Sequence, residues 1–372
     1  MELRLLSRIH EAPKHDWDAL LAPGASPFVS WEWLACLEEA KCVSEKAGWI
    51  PHHVAVYEDD RLVAAAPLYL KLHSEGEFVF DWGWADASHK LGEDYYPKLV
   101  NAVPFTPAGG ARVLFGTRED GDAITGAIAT FLRELTDKEG LSSCHSLFLR
   151  KEHIEPWIAS DYLERHGVQF QFDNPGFDDF EGFLASLPTS KKRTQIRRER
   201  AQPERDGMRI ETVRELTPAL VDAMYAFYID TVDKFTYGRR YLNRAFFELV
   251  ASRFGDKLAW VFAFQGDKPI AGAFNVEHEG VLYGRYWGAK ADVPFLHFNV
   301  CYYHGVAECI ERQLHRFEPG AGGEHKRPRG FGPKITCSAH YVRSPRLRRL
   351  VEPFLVRERE SIAAFIAQES QN

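Results

Sequence analysis

The residues best equipped for chemistry lie between positions 281 and 342. An apolar strand pattern, VLYGRYW, leads through a loop to a helical pattern near 299–315, then to a Gly- and His-rich stretch carrying Gly323-Glu324-His325-Lys326, and last to an apolar strand at 335–342. A long loop rich in Gly and ionisable side chains has no packing role in a compact domain, so function is expected in it. Chemistry at a carbonyl needs a proton acceptor and a fixed donor opposite the developing oxyanion. Glu324 or His325 supplies the proton acceptor, and Lys326 suits a phosphate or carboxylate. Tyr286 at the strand end and Tyr303 at the helix start carry hydroxyls that suit the oxyanion or the leaving group, and Trp287 and Tyr302 stand beside them.

Other residue groups point to binding. Arg285-x-x-Gly288 matches only part of a pyrophosphate-holding loop, because Lys290 stands where a small residue is expected. His297 and Asn299 lie at the mouth of the helix, where free backbone N–H groups favour an anion. Lys191, Lys192, Arg193, Arg197, Arg198 and Arg200 crowd one helix with Glu199 as the sole nearby acid, a pattern suited to phosphates. Arg239 and Arg240 form a potential carboxylate clamp. Asp81, Trp82, Trp84, Tyr95, Tyr96 and Lys98 fall in a dense aromatic run, expected to be an ordered loop walling an acceptor cleft, with Asp81 receiving an amine. No metal site is expected, since Cys301 and His304 lack further ligands at useful spacing.

The elements that must position these groups form two sets. At 372 residues the chain exceeds what one core usually sustains. Strand 3–9, a helix pair at 15–21 and 30–41, and a hairpin turning at Asp59-Asp60 recur as strand 208–213, helices 218–235 and 241–253, and a hairpin turning at Gly266-Asp267. The offset is about 205–210 residues, which a duplicated supersecondary unit explains. The order strand, helix, helix, hairpin, strand, helix, strand is that of a GCN5-type acyltransferase, so the expected fold is two tandem units with mixed, mainly antiparallel sheets. Boundaries are expected at 1–177, 178–345 and a C-terminal helix 346–372. Pro67 within the first hairpin's second run predicts an edge strand or a bulge. A net charge of −7 argues against indiscriminate nucleic-acid or membrane binding. Six scattered cysteines without a CxxC pair, no signal peptide and no spanning helix suggest a cytoplasmic protein.

The segments SPFVSWEWLACLE, FDWGWADA, YYPKLVNAVPFTPAGGARVLF, TSKKRTQIRRER, YLNRAFFEL, LYGRYWGA, LHFNVCYYHGV and GGEHKRPRGFGPKITCSAHYV together resemble the FemAB-like proteins over nearly the whole chain. That family sits in the GCN5-related superfamily and is associated with peptidoglycan biosynthesis. The resemblance implies transfer of an acyl or aminoacyl group to a primary amine on an amino acid, peptide or cell-wall precursor. It implies acyl-coenzyme A or aminoacyl-tRNA as donor substrate, with no tightly bound cofactor. The long coiled-coil insertion of some relatives is missing here, so any tRNA would be gripped differently. The rival reading is a non-catalytic protein that binds a peptide or cell-wall fragment on the same fold.

Overall fold

The computed structural model describes residues 1–234 and 238–369, apart from the Glu324 side chain. The chain forms two compact units, Met1–Val168 with Ile335–Gln371, and Gln169–Lys334.

The first unit begins with β1 (Glu2–Leu6), α1 (Lys14–Asp18) and α2 (Trp31–Glu39). After β2 (Trp49–Pro51), the hairpin of β3 (His53–Glu58) and β4 (Arg61–Ala66) turns on Asp59 and Asp60, both at positive φ. Such a pair of left-handed residues matches the twist of the flanking strands. β4 is the edge of the three-stranded sheet β1-β3-β4, and the chain leaves that sheet at Pro67 to enter β5 (Leu68–Lys71). A residue without an N–H ends the ladder there, as the sequence suggested. Then come α3 (Trp82–Lys90), β6 (Lys98–Asn101), α4 (Gly121–Lys138), β7 (Ser143–Leu149), α5 (Glu155–Ala159) and β8 (Leu163–Asp173). α4 is the crossover between the parallel strands β6 and β7, and its Ile124, Ile128 and Leu132 are fully buried against Leu99 and Cys144.

The second unit opens with α6 (Phe180–Ser186) and α7 (Ser190–Arg205), whose first turn is capped by Thr189. β9 (Met208–Val213), α8 (Pro218–Asp233) and α9 (Arg244–Arg253) lead to the antiparallel hairpin of β10 (Trp260–Gln265) and β11 (Lys268–His278). β12 (Val281–Ala289) pairs antiparallel with β11. α10 follows in three pieces, an α-turn at Leu296–Phe298, a π-helical segment at Asn299–Tyr303 and α-helix again at His304–Glu311. β13 (Arg316–Glu318) runs parallel to β12 over only three residues, and the chain then passes the short 3-10 helix Glu324–Arg329 into β14 (Gly332–Val342) and α11 (Pro345–Glu369).

The internal repeat survives as pairing. β1 pairs β3 and β3 pairs β4, just as β9 pairs β10 and β10 pairs β11. Each unit then reaches a parallel pair, β6 with β7 and β12 with β13, so the fold is a mixed α/β one of two tandem units with mixed, mainly antiparallel sheets. The closing strands are exchanged: the end of β8 pairs β13, whereas β14 returns to pair β7 from Cys337 to Val342. The units therefore part at 168/169 and 334/335, not at 177/178 and 345/346. Strand alternation alone cannot say which partner a strand takes. α11 likewise belongs to the first unit, burying Leu347, Val351 and Leu355 against Trp84 and Tyr95. The aromatic run expected as a loop contains α3, whose buried Trp84 and Ser88 are one turn apart.

The first unit encloses an ionisable cluster. Lys98 is fully buried and donates to Ser74 and Glu77, each at 2.9 Å, and to Asp81. Burial opposes ionisation of Asp81, yet the Lys98 ammonium holds its carboxyl well below the ordinary range, while burial pushes Glu77 up to about 7. His145 and His340 touch through their Nδ1 atoms in the same interior. Burial, with Lys98 nearby, lowers His145 to about 3, and burial and His145 together lower His340 well below 6.5. Both folded values lie below the unfolded one. Stability from these imidazoles is thus complete above pH 6.5 and is lost as pH falls toward the folded values. We expect urea unfolding to show a loss of about 3 kcal/mol between pH 7.5 and 5.5 from the pair. His340→Leu should remove about half of that slope.

Candidate active site

The site is built where β12 and β13 part. Their pairing ends at Tyr283 and Glu318, and beyond it Gly284 lies so close to Pro319 that an added Cβ would sit 3.2 Å from its Cα. The loop that follows is held by the 3-10 helix Glu324–Arg329, bounded by Gly323 (φ 89) and Gly330 (φ 88). Both need the left-handed backbone that a side chain disfavours. A Cβ on Gly323 would in addition come within 2.8 Å of the His325 ring, so the glycine lets the imidazole fold back over its own loop.

That imidazole meets α10. His325 Nε2 and Tyr302 Oη are 2.9 Å apart, and the ring packs beside Phe298 and His297, with centroids at 6.1 and 5.7 Å. His297 in turn stacks on Trp287 at 4.3 Å. Partial burial, then Lys326 and Arg329, hold His325 below its ordinary value of 6.5. Burial, reinforced by His325, Lys326 and Arg329, takes His297 down to about 4. Both imidazoles are therefore mainly neutral at pH 7, with His325 exposed to solvent. Neutral imidazole is the proton-accepting form.

Lys326, adjacent to His325, is buried and donates to the carbonyls of Gly320 at 2.6 Å and Ala321 at 3.2 Å. Burial lowers its ammonium to about 8. An ammonium has three N–H groups, so one remains for a ligand oxygen.

A second network fixes the π segment. Arg329 pairs with Glu199 at 3.0 and 3.2 Å, donates to the His325 carbonyl at 2.8 Å, and lies 3.4 Å over the Phe298 ring. Tyr303 Oη donates to Glu199, Gln195 donates to the same carboxylate at 2.8 Å, and Asn299 donates to the Glu199 carbonyl at 2.9 Å. Five groups thus tie α7, α10 and the loop together. π-Helical turns are rare and tend to occur at functional sites, because the extra residue re-aims the side chains on it. Here it lets adjacent tyrosines serve different networks, Tyr302 toward His325 and Tyr303 toward Glu199.

Several expected residues take other parts. The Glu324 side chain lies outside the described residues. Tyr303 is committed to Glu199, and Tyr286 packs between Tyr228 and Phe274, with centroids at 5.2 and 5.9 Å. Asn299 is not at a helix mouth; α10 starts at Leu296, and the amide is buried one turn in. Arg193 donates to the Leu187 carbonyl at 2.7 Å and Arg197 pairs with Glu181 at 2.6 Å, so neither is a loose phosphate ligand. Arg239 is exposed beside the Arg240–Asp233 pair, and Arg285 is half-buried beside Tyr286.

In the first unit, Asp81 receives an amine, but it is that of Lys98 in the same chain, and both side chains are sealed from solvent together with Trp84. Trp82 is 55% exposed and stacks on Phe80, and Tyr96 bonds Ser74 at 2.8 Å. The expected acceptor wall is thus largely internal packing, because α3 turns its Trp84 face inward. Glu199, Arg329 and Phe298 were missed as site residues. The signal was present for one of them, Glu199, the one acid within the basic run 191–200.

Residues 8–372 match the family model described as peptidoglycan biosynthesis/recognition. The chain belongs to the FemAB-like family. Among solved structures the FemAB-like chain is similar to FemX, with a TM-score of 0.55 and 11% identity over 95% of this chain and 100% of that one. It is also similar to the C-terminal domain of a putative lysylphosphatidylglycerol synthetase from Agrobacterium fabrum, with a TM-score of 0.55, 11% identity and coverage of 92% and 96%. A third similar structure, L-PGS from Bacillus licheniformis, gives a TM-score of 0.51, 11% identity and coverage of 87% and 95%. At this identity the likeness establishes the shared fold. No curated protein matches the sequence. Among the described residues no helix is long and apolar enough to cross a membrane.

Proposed function

We propose that this FemAB-like protein is an N-acyltransferase that moves an acyl or aminoacyl group to a primary amine of an amino acid, peptide or cell-wall precursor by direct attack. The observation that carries the reading is the neutral His325 imidazole bonded to Tyr302 beside the buried Lys326 ammonium. The acceptor ammonium loses a proton to His325, the free amine attacks the carbonyl carbon, and the remaining Lys326 N–H stabilises the oxyanion. Collapse of that intermediate expels the donor's leaving group, which takes a proton from the imidazolium, and the regenerated imidazole then removes the second proton that the amide nitrogen must lose and passes it to solvent. Trp287 and His297 offer a flat wall beside the reacting groups. Acyl-coenzyme A and aminoacyl-tRNA are the donor classes, and family membership supports a cell-wall acceptor.

Mass spectrometry of reactions pairing charged tRNA or acyl-coenzyme A with amino acids, peptides and nucleotide-linked muropeptides tests the reading. An acceptor gaining the acyl mass is expected, and stabilisation by muropeptides with no transfer from any donor would favour a binding protein instead.

The site also predicts an alkaline limit. Protonated Lys326 is required, so kcat/KM should decline above about pH 8. Lys326→Arg, which keeps the cation at all accessible pH values, should move that limb upward. An unchanged limb would remove Lys326 from the oxyanion role.

A further inference from the structure

The sequence offered no metal-binding spacing, but the fold brings together a set of ligands from distant positions in the first unit. Glu164, His166 and Cys337 place a carboxylate oxygen, an imidazole nitrogen and a thiol sulfur all within 4.8 Å of one another. We propose that these three residues form a site for a zinc-class divalent cation that pins the start of β8 to β14, where the chain leaves the first unit and where it returns.

Strand geometry accounts for the cluster. Glu164 and His166 are two apart on β8, so their side chains share a face, and Arg165 between them points the other way to Glu358 and Trp84. Cys337 comes from the neighbouring β14, itself anchored opposite Leu149 of β7. The two strands approach closely beside the cluster: a Cβ on Gly167 would lie 2.8 Å from Thr336 Oγ1. The backbone carbonyl of Glu164 also accepts from Arg359 of α11, which holds the strand from outside. The ligands therefore stand on restrained backbone, as a precise site requires.

The chemistry of the set is selective. Sulfur, nitrogen and oxygen together suit zinc and its neighbours in the transition series and do not suit calcium or magnesium, which take oxygen. Tetrahedral bonds of about 2.0–2.3 Å place ligand atoms about 3.4–3.6 Å apart. His166 Nε2 and Glu164 Oε1 stand 2.8 Å apart in a hydrogen bond, so a cation between them would part them slightly while the thiol closes in. Binding exchanges that bond for two metal bonds and releases the Cys337 thiol proton to solvent. Three protein ligands leave one position for water. Cys337 is buried, whereas His166 and Glu164 are 18% and 29% exposed at their side chains, so a cation has a route in from the solvent face.

Cobalt(II) titration of the full chain tests the proposal, because thiolate coordination produces a charge-transfer band that oxygen or nitrogen ligation does not. One cobalt per chain with that band, displaced by zinc, is expected, together with a higher thermal midpoint in zinc. Cys337→Ser should lose the band. As the buried position risks misfolding, His166→Gln, at a site partly open to solvent, should lose both the band and the zinc-dependent rise. Absence of the band in the wild-type chain, or its survival in His166→Gln, would overturn the proposal. Neither outcome depends on acyl transfer.

Discussion

His325→Ala is expected to lower kcat/KM for acyl transfer about 10²–10⁴-fold, the range attributable to one positioned general base. The imidazole is exposed, and among the described residues it bonds Tyr302, so the thermal midpoint should barely move. Tyr302→Phe keeps the base and removes one hydrogen bond, which is worth about 1 kcal/mol, so a loss of only about five-fold is expected. The contrast between the variants separates proton acceptance from orientation. Wild-type turnover in His325→Ala would remove the residue from the reaction.

The largest stability effect belongs to the Glu199–Arg329 pair. Both side chains are buried, and Glu199 also accepts from Tyr303 and Gln195. Removing one partner leaves an uncompensated charge in the interior, and Arg329→Met should cost about 3–5 kcal/mol in chemical denaturation. Glu199→Gln/Arg329→Met removes both charges and should recover part of that loss. Activity should fall in Arg329→Met even where the protein remains folded, because the π segment and the His325 carbonyl lose their common anchor. A single variant with unchanged stability would show that the pair does not hold the loop.

Much of this was legible in the sequence, and the reasons differ by element. The repeat was visible because hairpins and amphipathic helices carry local periodicity, and Asp59-Asp60 and Gly266 mark turns whatever surrounds them. The irregular loop itself was legible for a similar reason, since Gly323 and Gly330 serve backbone conformations that few other residues allow. The exchange of closing strands was not, because the partners of β8 and β14 are set by tertiary pairing that residue types along a strand do not specify. The π segment at Asn299–Tyr303 has no sequence signature either; its extra residue is retained by tertiary bonds to Glu199 and Arg329 from 100 positions before Asn299 and 30 after. Charge was the least reliable guide. Arg193, Arg197, Asp81 and Lys98 looked available to ligands, but each is engaged by the chain itself.

The acid limb of the kcat/KM–pH profile tests the central claim most directly. A neutral His325 predicts that the acid inflection lies below pH 6.5, the direction in which burial, Lys326 and Arg329 move its imidazole, and that this inflection vanishes in the residual activity of His325→Ala. An inflection at or above 6.5, or one that persists unchanged in the variant, would contradict it.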